Sequence, residues 1–140
     1  ADLEKRFAEV EACVPTHESL PDLMRPSLHL LVELYRTRRG LLVAFGSRIA
    51  ENRRLYQAGL AFRRSVVERF TALILRFRAD ITHPDPELAA DLAVQLAMGF
   101  MEQTLSAGRV RVGGELLPQG RIEEELERAI YAYLGVNTSA

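Results

Sequence analysis

Residues 86–107 read PELAADLAVQLAMGFMEQTLSA, and this stretch decides the fold. At helical periodicity its polar strip is narrow, holding Asp91, Gln95, Glu102 and Ser106. Ala89, Ala90, Leu92, Ala93, Val94, Leu96, Ala97, Met98, Gly99, Phe100, Met101 and Leu105 fill the rest of the surface. A helix that is apolar on nearly every side has to be covered on nearly every side. That demand exceeds what one core of a domain this size can meet, and the small residues let another helix come close. Asp85 can cap the start, and Pro86 suits the first turn.

Working outward, residues 108–120 hold four glycines and Pro118 and read as a loop. A sixth segment, about 121–134, carries a stripe of Ile122, Leu126, Ala129, Ile130, Tyr133 and Leu134. Glu123, Glu124 and Glu125 favour its positive N-terminal end, and Gly135 stops it. The expectation is a homodimer in which the fifth and sixth helices pair with their copies as a four-helix bundle. The interface expected is Ala90, Ala93, Val94, Ala97, Met101, Ile122, Leu126, Ile130 and Tyr133.

Four helical segments precede these. The first, about 2–14, aligns Leu3, Phe7, Val10 and Val14 and ends at Pro15. The second, about 21–38, has a wide apolar arc that places it centrally, with Pro26 expected to kink or restart it. The third, about 41–51, is short and apolar nearly all round. The fourth, about 52–80, turns Tyr56, Gly59, Leu60, Phe62, Val66, Val67, Phe70, Leu73, Ile74 and Phe77 inward. The fold class is therefore all-α: a six-helix bundle domain over residues 1–140, its last two helices forming the dimeric four-helix bundle.

Composition excludes several functions. A formal net charge of −1 argues against this piece gripping nucleic acid by itself. No apolar run is long enough to cross a bilayer and no signal peptide is visible, so a cytoplasmic protein is expected. Cys13 is the sole cysteine, which excludes an internal disulfide and a cysteine metal cluster. There is no Gly-rich phosphate loop, no HExxH, no Glu-x-x-His pair and no serine nucleophile elbow. No catalytic residue, metal or cofactor is expected. His29 and Glu33, four apart, read as a solvated pair, and the glutamates at 123–125 and 127 as a solvated helix start.

One residue breaks its helix's pattern. Arg63 sits near the centre of the fourth segment's apolar arc, and a buried arginine is costly unless paired. It calls for a protein carboxylate, a side chain that snorkels out to solvent, or an anionic or carbonyl-bearing ligand. Ser27, Gln103 and Thr104 are further polar intruders on apolar arcs, and Arg48 lies beside Leu41 and Phe45. Ser27, Arg48, Arg63 and Gln103, with Phe45, Tyr56, Phe62, Met98, Phe100 and Met101, are the candidate walls of a mostly apolar pocket. The expected cavity lies between the second, fourth and fifth helices.

The order of segments resembles the C-terminal domain of the TetR family of bacterial transcriptional regulators. Ala1 to Phe7 resembles the helix that leaves the family's helix-turn-helix domain, and 28–34 through 39–42 its central helix and short successor. Asn52 to Tyr56 and Pro86 to Ala93 resemble the openings of the next two helices, and Gly99 and a last amphipathic helix after a loose loop are also similar. The resemblance implies a homodimer, a small apolar or amphipathic effector in a pocket lined by the first five helices, and DNA binding only through a domain upstream of Ala1. It does not identify the ligand or its contacts. Competing readings are a helical enzyme with an apolar cavity, against which the missing acid, base and metal ligands stand, and a ligand-free interaction or scaffold domain.

Overall fold

The computed structural model describes residues 5, 8, 9, 19–37, 52–105 and 111–137. Among them are four long helices: α1 (Leu20–Thr37), α2 (Arg53–Leu75), α3 (Pro86–Leu105) and α4 (Gln119–Leu134). These correspond to the second, fourth, fifth and sixth expected segments. Lys5, Ala8 and Glu9 of the first segment are helical. The rest of the first segment and the whole third segment, with Phe45 and Arg48, lie outside the described residues.

α1 runs without interruption through Pro26, so the helix does not restart there. Pro26 is exposed and lies in the second turn, so the Asp22 carbonyl that loses its helical donor lies near the exposed start of the helix. The Ser19 hydroxyl donates to the Asp22 carboxylate at 3.0 Å at the helix entrance. α2 opens on Asn52, whose side-chain oxygen accepts the Arg54 amide at 3.0 Å. It stops at Leu75, five residues before its expected end, and a 3-10 turn over Arg78–Asp80 follows. α3 starts as its sequence dictates: Asp85 accepts the Leu88 amide at 3.2 Å, with Pro86 in the first turn.

α1 and α3 each touch the other three helices, whereas α2 and α4 meet chiefly through them. The alanines of α3 explain this close packing. Ala89, Ala90, Ala93 and Ala97 are all buried and leave room for neighbouring helices. Leu20, Leu23, Val32 and Leu134 are the largest side chains with essentially no exposure.

α4 lies antiparallel to α1 along a seam with a rung every four residues. Arg25 pairs with Glu127 at 3.1 Å and His29 with Glu123 at 2.7 Å, while the Gln119 amide donates to Glu33 at 2.9 Å. His29, Glu33, Glu123 and Glu127 therefore join two helices rather than standing as separate solvated groups. The other end of α4 is fastened too. Gly135, at φ 71°, forms its left-handed cap, and the His83 amide donates to the Leu134 carbonyl at 3.1 Å. The His83 and Tyr133 rings meet edge to face, 5.2 Å between centroids.

The expected loop at 108–120 contains a minimal antiparallel hairpin, which qualifies the all-α class. Strands β1 (Arg111–Val112) and β2 (Glu115–Leu116) pair across Gly113 and Gly114, at φ 59° and 82°. Two consecutive positive-φ glycines give the turn whose twist matches that of the strands.

Candidate functional site

Three helices bring Tyr35, Arg63 and Glu102 together at one end of the bundle. The Tyr35 hydroxyl and the Arg63 Nε both donate to the same carboxylate oxygen, Glu102 Oε1, at 3.1 and 3.0 Å. The carboxylate that an arginine on an apolar arc requires thus comes from α3, 39 positions along the chain. Arg63 is 33 % exposed and Glu102 41 %, so the pair is accessible to water and screened by it. Tyr35 is buried beneath them. Burial first, and then the adjacent Glu102 charge, push its phenol well above the ordinary tyrosine value.

A small apolar cavity of about 30 Å³ lies deeper, between α1, α2 and α3, with Ile130 of α4 on its wall. Leu31 and Phe70 are among its liners, and Ser27 is its one polar residue. The Ser27 hydroxyl is occupied, donating to the Leu23 carbonyl at 2.8 Å, so it offers no open polar handle. Pockets that take drug-sized ligands measure roughly 300–1,000 Å³. This cavity is therefore the seed of a pocket, and a drug-sized effector requires its walls to move.

The other expected pocket residues divide into two groups. Met98 and Met101 are buried on α3 and Phe100 packs against the core, between the cavity and the Arg63 cluster in sequence. Thr104 is satisfied within its own helix by the Phe100 and Met101 carbonyls. Tyr56 and Phe62 are instead about half exposed, as is Leu60, and Gln103 is exposed. Among its described side chains, the first half of α2 thus contributes none that is buried in the core. Tyr35 and Glu102 are the site residues that sequence reading missed. Glu102 is the only acid in the second half of α3, and that was the available signal.

The residues expected at a dimer interface are placed differently from the expectation. Ala90, Ala93, Val94, Ala97, Met101, Ile122 and Ile130 are buried within the chain itself, and Leu126 and Tyr133 are packed against the same core. Small residues on α3 serve its neighbours in the chain. The apolar excess emerges on the opposite face as Leu88, Leu92 and Leu96, exposed by 54, 40 and 56 %. Their spacing of four makes a single stripe along α3. Ala129 on α4 is exposed as well.

Among the described residues no group of His, Cys, Asp and Glu is arranged to hold a metal ion, and no helix is long and apolar enough to cross a membrane. A family model described as "Tetracyclin repressor-like, C-terminal domain" matches residues 19–134. No curated protein and no solved structure matches the chain.

Proposed function

The chain belongs to the tetracyclin repressor-like C-terminal domain family, and from that premise we propose that it is the effector-binding and dimerisation domain of a transcriptional regulator. Domains of this family are regulatory rather than enzymatic. In this reading a small apolar or amphipathic effector enters between α1, α2 and α3. Its binding shifts the population of dimer geometries, and a DNA-binding domain of the full regulator reads that shift. The observation that carries the reading is the two-sidedness of α3. One face walls the cavity through Val94 and Ala97, and the other presents Leu88, Leu92 and Leu96 to solvent. A single rigid helix therefore connects an internal site to an external apolar face.

The dimer is proposed to form through that exposed face of α3 together with α4. This keeps the expected helices and exchanges the expected side chains, because the alanines are already used internally. The protein is proposed to work in the cytoplasm. The test has two arms: mass in solution by light scattering at micromolar concentration, and melting temperature against a panel of apolar and amphipathic small molecules. A dimer stabilised by at least one compound class supports the reading. A stable monomer that no compound stabilises would sink it.

A further inference from the structure

We infer that the Tyr35–Arg63–Glu102 cluster is an exchange site for a carboxylate-headed effector, in which the ligand's carboxylate takes the place of the Glu102 carboxylate and its alkyl tail runs toward the apolar cavity. This deepens the proposed function and rests on it.

The placement of the residues supports the geometry. Tyr35 stands one turn beyond the cavity liner Leu31 on α1. Glu102 stands one turn beyond Met98, itself adjacent to the liner Ala97 on α3. Arg63 stands two turns before the liner Phe70 on α2. The polar cluster therefore caps the cavity end of the bundle at a remove of roughly 6–10 Å along the helix axes, taken as four to seven residues of helical rise. Between the two, Met98 and Met101 are buried on α3. Methionine is unbranched and repacks readily, so this stretch can open for an alkyl chain where a wall of β-branched residues would resist.

The chemistry of the head group fits a carboxylate. One carboxylate oxygen already receives both the Tyr35 hydroxyl and the Arg63 Nε. A ligand carboxylate in its place would find the same two donors and the planar guanidinium fork. Glu102 is 41 % exposed, so it can swing into water with little loss. Glu102 thereby acts as a resident competitor. It keeps Arg63 compensated when no ligand is present, and its negative charge opposes a second carboxylate at the same donors.

That competition yields a test which a merely structural ion pair would fail. Sodium octanoate, 1-octanol and sodium acetate are titrated into the full chain by calorimetry, using wild type, Arg63→Met and Glu102→Gln. Octanoate is expected to bind, with octanol lacking the head charge and acetate lacking the tail each about tenfold weaker or more. Arg63→Met should weaken octanoate by about tenfold. Glu102→Gln should tighten it, because the competing charge is gone while the fold is undisturbed at an exposed position. Circular dichroism verifies that Arg63→Met is folded, and Glu102→Gln keeps the test decisive if it is not. Octanoate binding equally to wild type and Arg63→Met, or no tighter to Glu102→Gln, overturns the exchange site while leaving an effector pocket in place. No octanoate binding, with stabilisation by another compound class, overturns the inference but not the proposed function.

Discussion

The Thr82 hydroxyl donates to the Gly135 carbonyl at 2.7 Å, and Gly135 is turned to φ 71° where the two meet. The loop before α3 thereby closes over the last turn of α4. A Cβ on Gly135 would lie 2.1 Å from the Thr82 hydroxyl oxygen, so contact and backbone conformation both demand glycine.

Gly135→Ala should therefore destabilise the fold by more than the roughly 1–2 kcal/mol of a left-handed non-glycine residue. Gly114, at φ 82°, has nothing within 4 Å of an added Cβ. Gly114→Ala should incur the conformational cost alone. Urea unfolding of both variants separates clash from strain, and equal losses would show that Thr82 yields freely.

Gly99→Ala should stabilise the protein by about 0.5–1 kcal/mol, since alanine loses less backbone entropy in a helix interior. Gly99 lies within α3, and an added Cβ would meet nothing within 4 Å. A lower urea midpoint in this variant would mean that another surface closes on Gly99 in the assembled protein.

Leu92→Glu should convert the proposed dimer to a monomer with its helix content retained. Leu92 is the middle of the exposed α3 stripe, and a charge there would be desolvated at an apolar interface. Light scattering on wild type and variant decides this, and an unchanged dimer mass would place the interface elsewhere.

Acid should loosen the α1–α4 seam. The Gln119 hydrogen bond, aided by the Arg36 and His29 charges, holds the Glu33 carboxyl below its ordinary value of 4.5 against the opposing effect of burial. With the folded value depressed, the contribution is present above pH 4.5 and is lost as pH falls through the folded value. Carbon-detected NMR titration should show the Glu33 carboxyl moving up toward the ordinary value in Gln119→Ala. An unmoved titration would show that the amide is not its principal partner.

Alkali should act in the opposite sense on two tyrosines. Burial, reinforced by Glu102 at Tyr35 and by Glu127 at Tyr131, raises both phenols above the ordinary 10.0. Stability from the neutral phenols is complete below pH 10 and is lost as pH rises toward the folded values. Ultraviolet titration should show both rings ionising late, with one late group missing in Tyr35→Phe. Full ionisation of all four tyrosines near pH 10 in the folded protein would contradict this.

Local signals in the sequence translated directly into structure. Asp85 with Pro86 opened α3, Asn52 opened α2 and Gly135 closed α4, because a cap depends on neighbours a few residues away. The hairpin was also legible, since Arg111-Val112-Gly113-Gly114-Glu115-Leu116 sets a two-glycine turn between short extended pairs, but glycine abundance read simply as loop. Long-range facts were not. Periodicity showed that α3 is apolar on two faces, yet nothing local decides which face the rest of the chain covers. Likewise Arg63 announced a need for a carboxylate, while the identity of Glu102 depends on how α2 and α3 cross.

The repeat of four along the α1–α4 seam makes its pairing sensitive to register. Sliding α4 by one helical turn, about 5.4 Å, brings Glu123 opposite Arg25 and Gln119 opposite His29, so two rungs find compatible new partners. Sliding it the other way brings Glu127 opposite His29 but sets Glu123 against Glu33, carboxylate against carboxylate. The seam's own chemistry thus tells the two neighbouring registers apart, and the Thr82–Gly135 contact fastens the far end of α4 in the observed one.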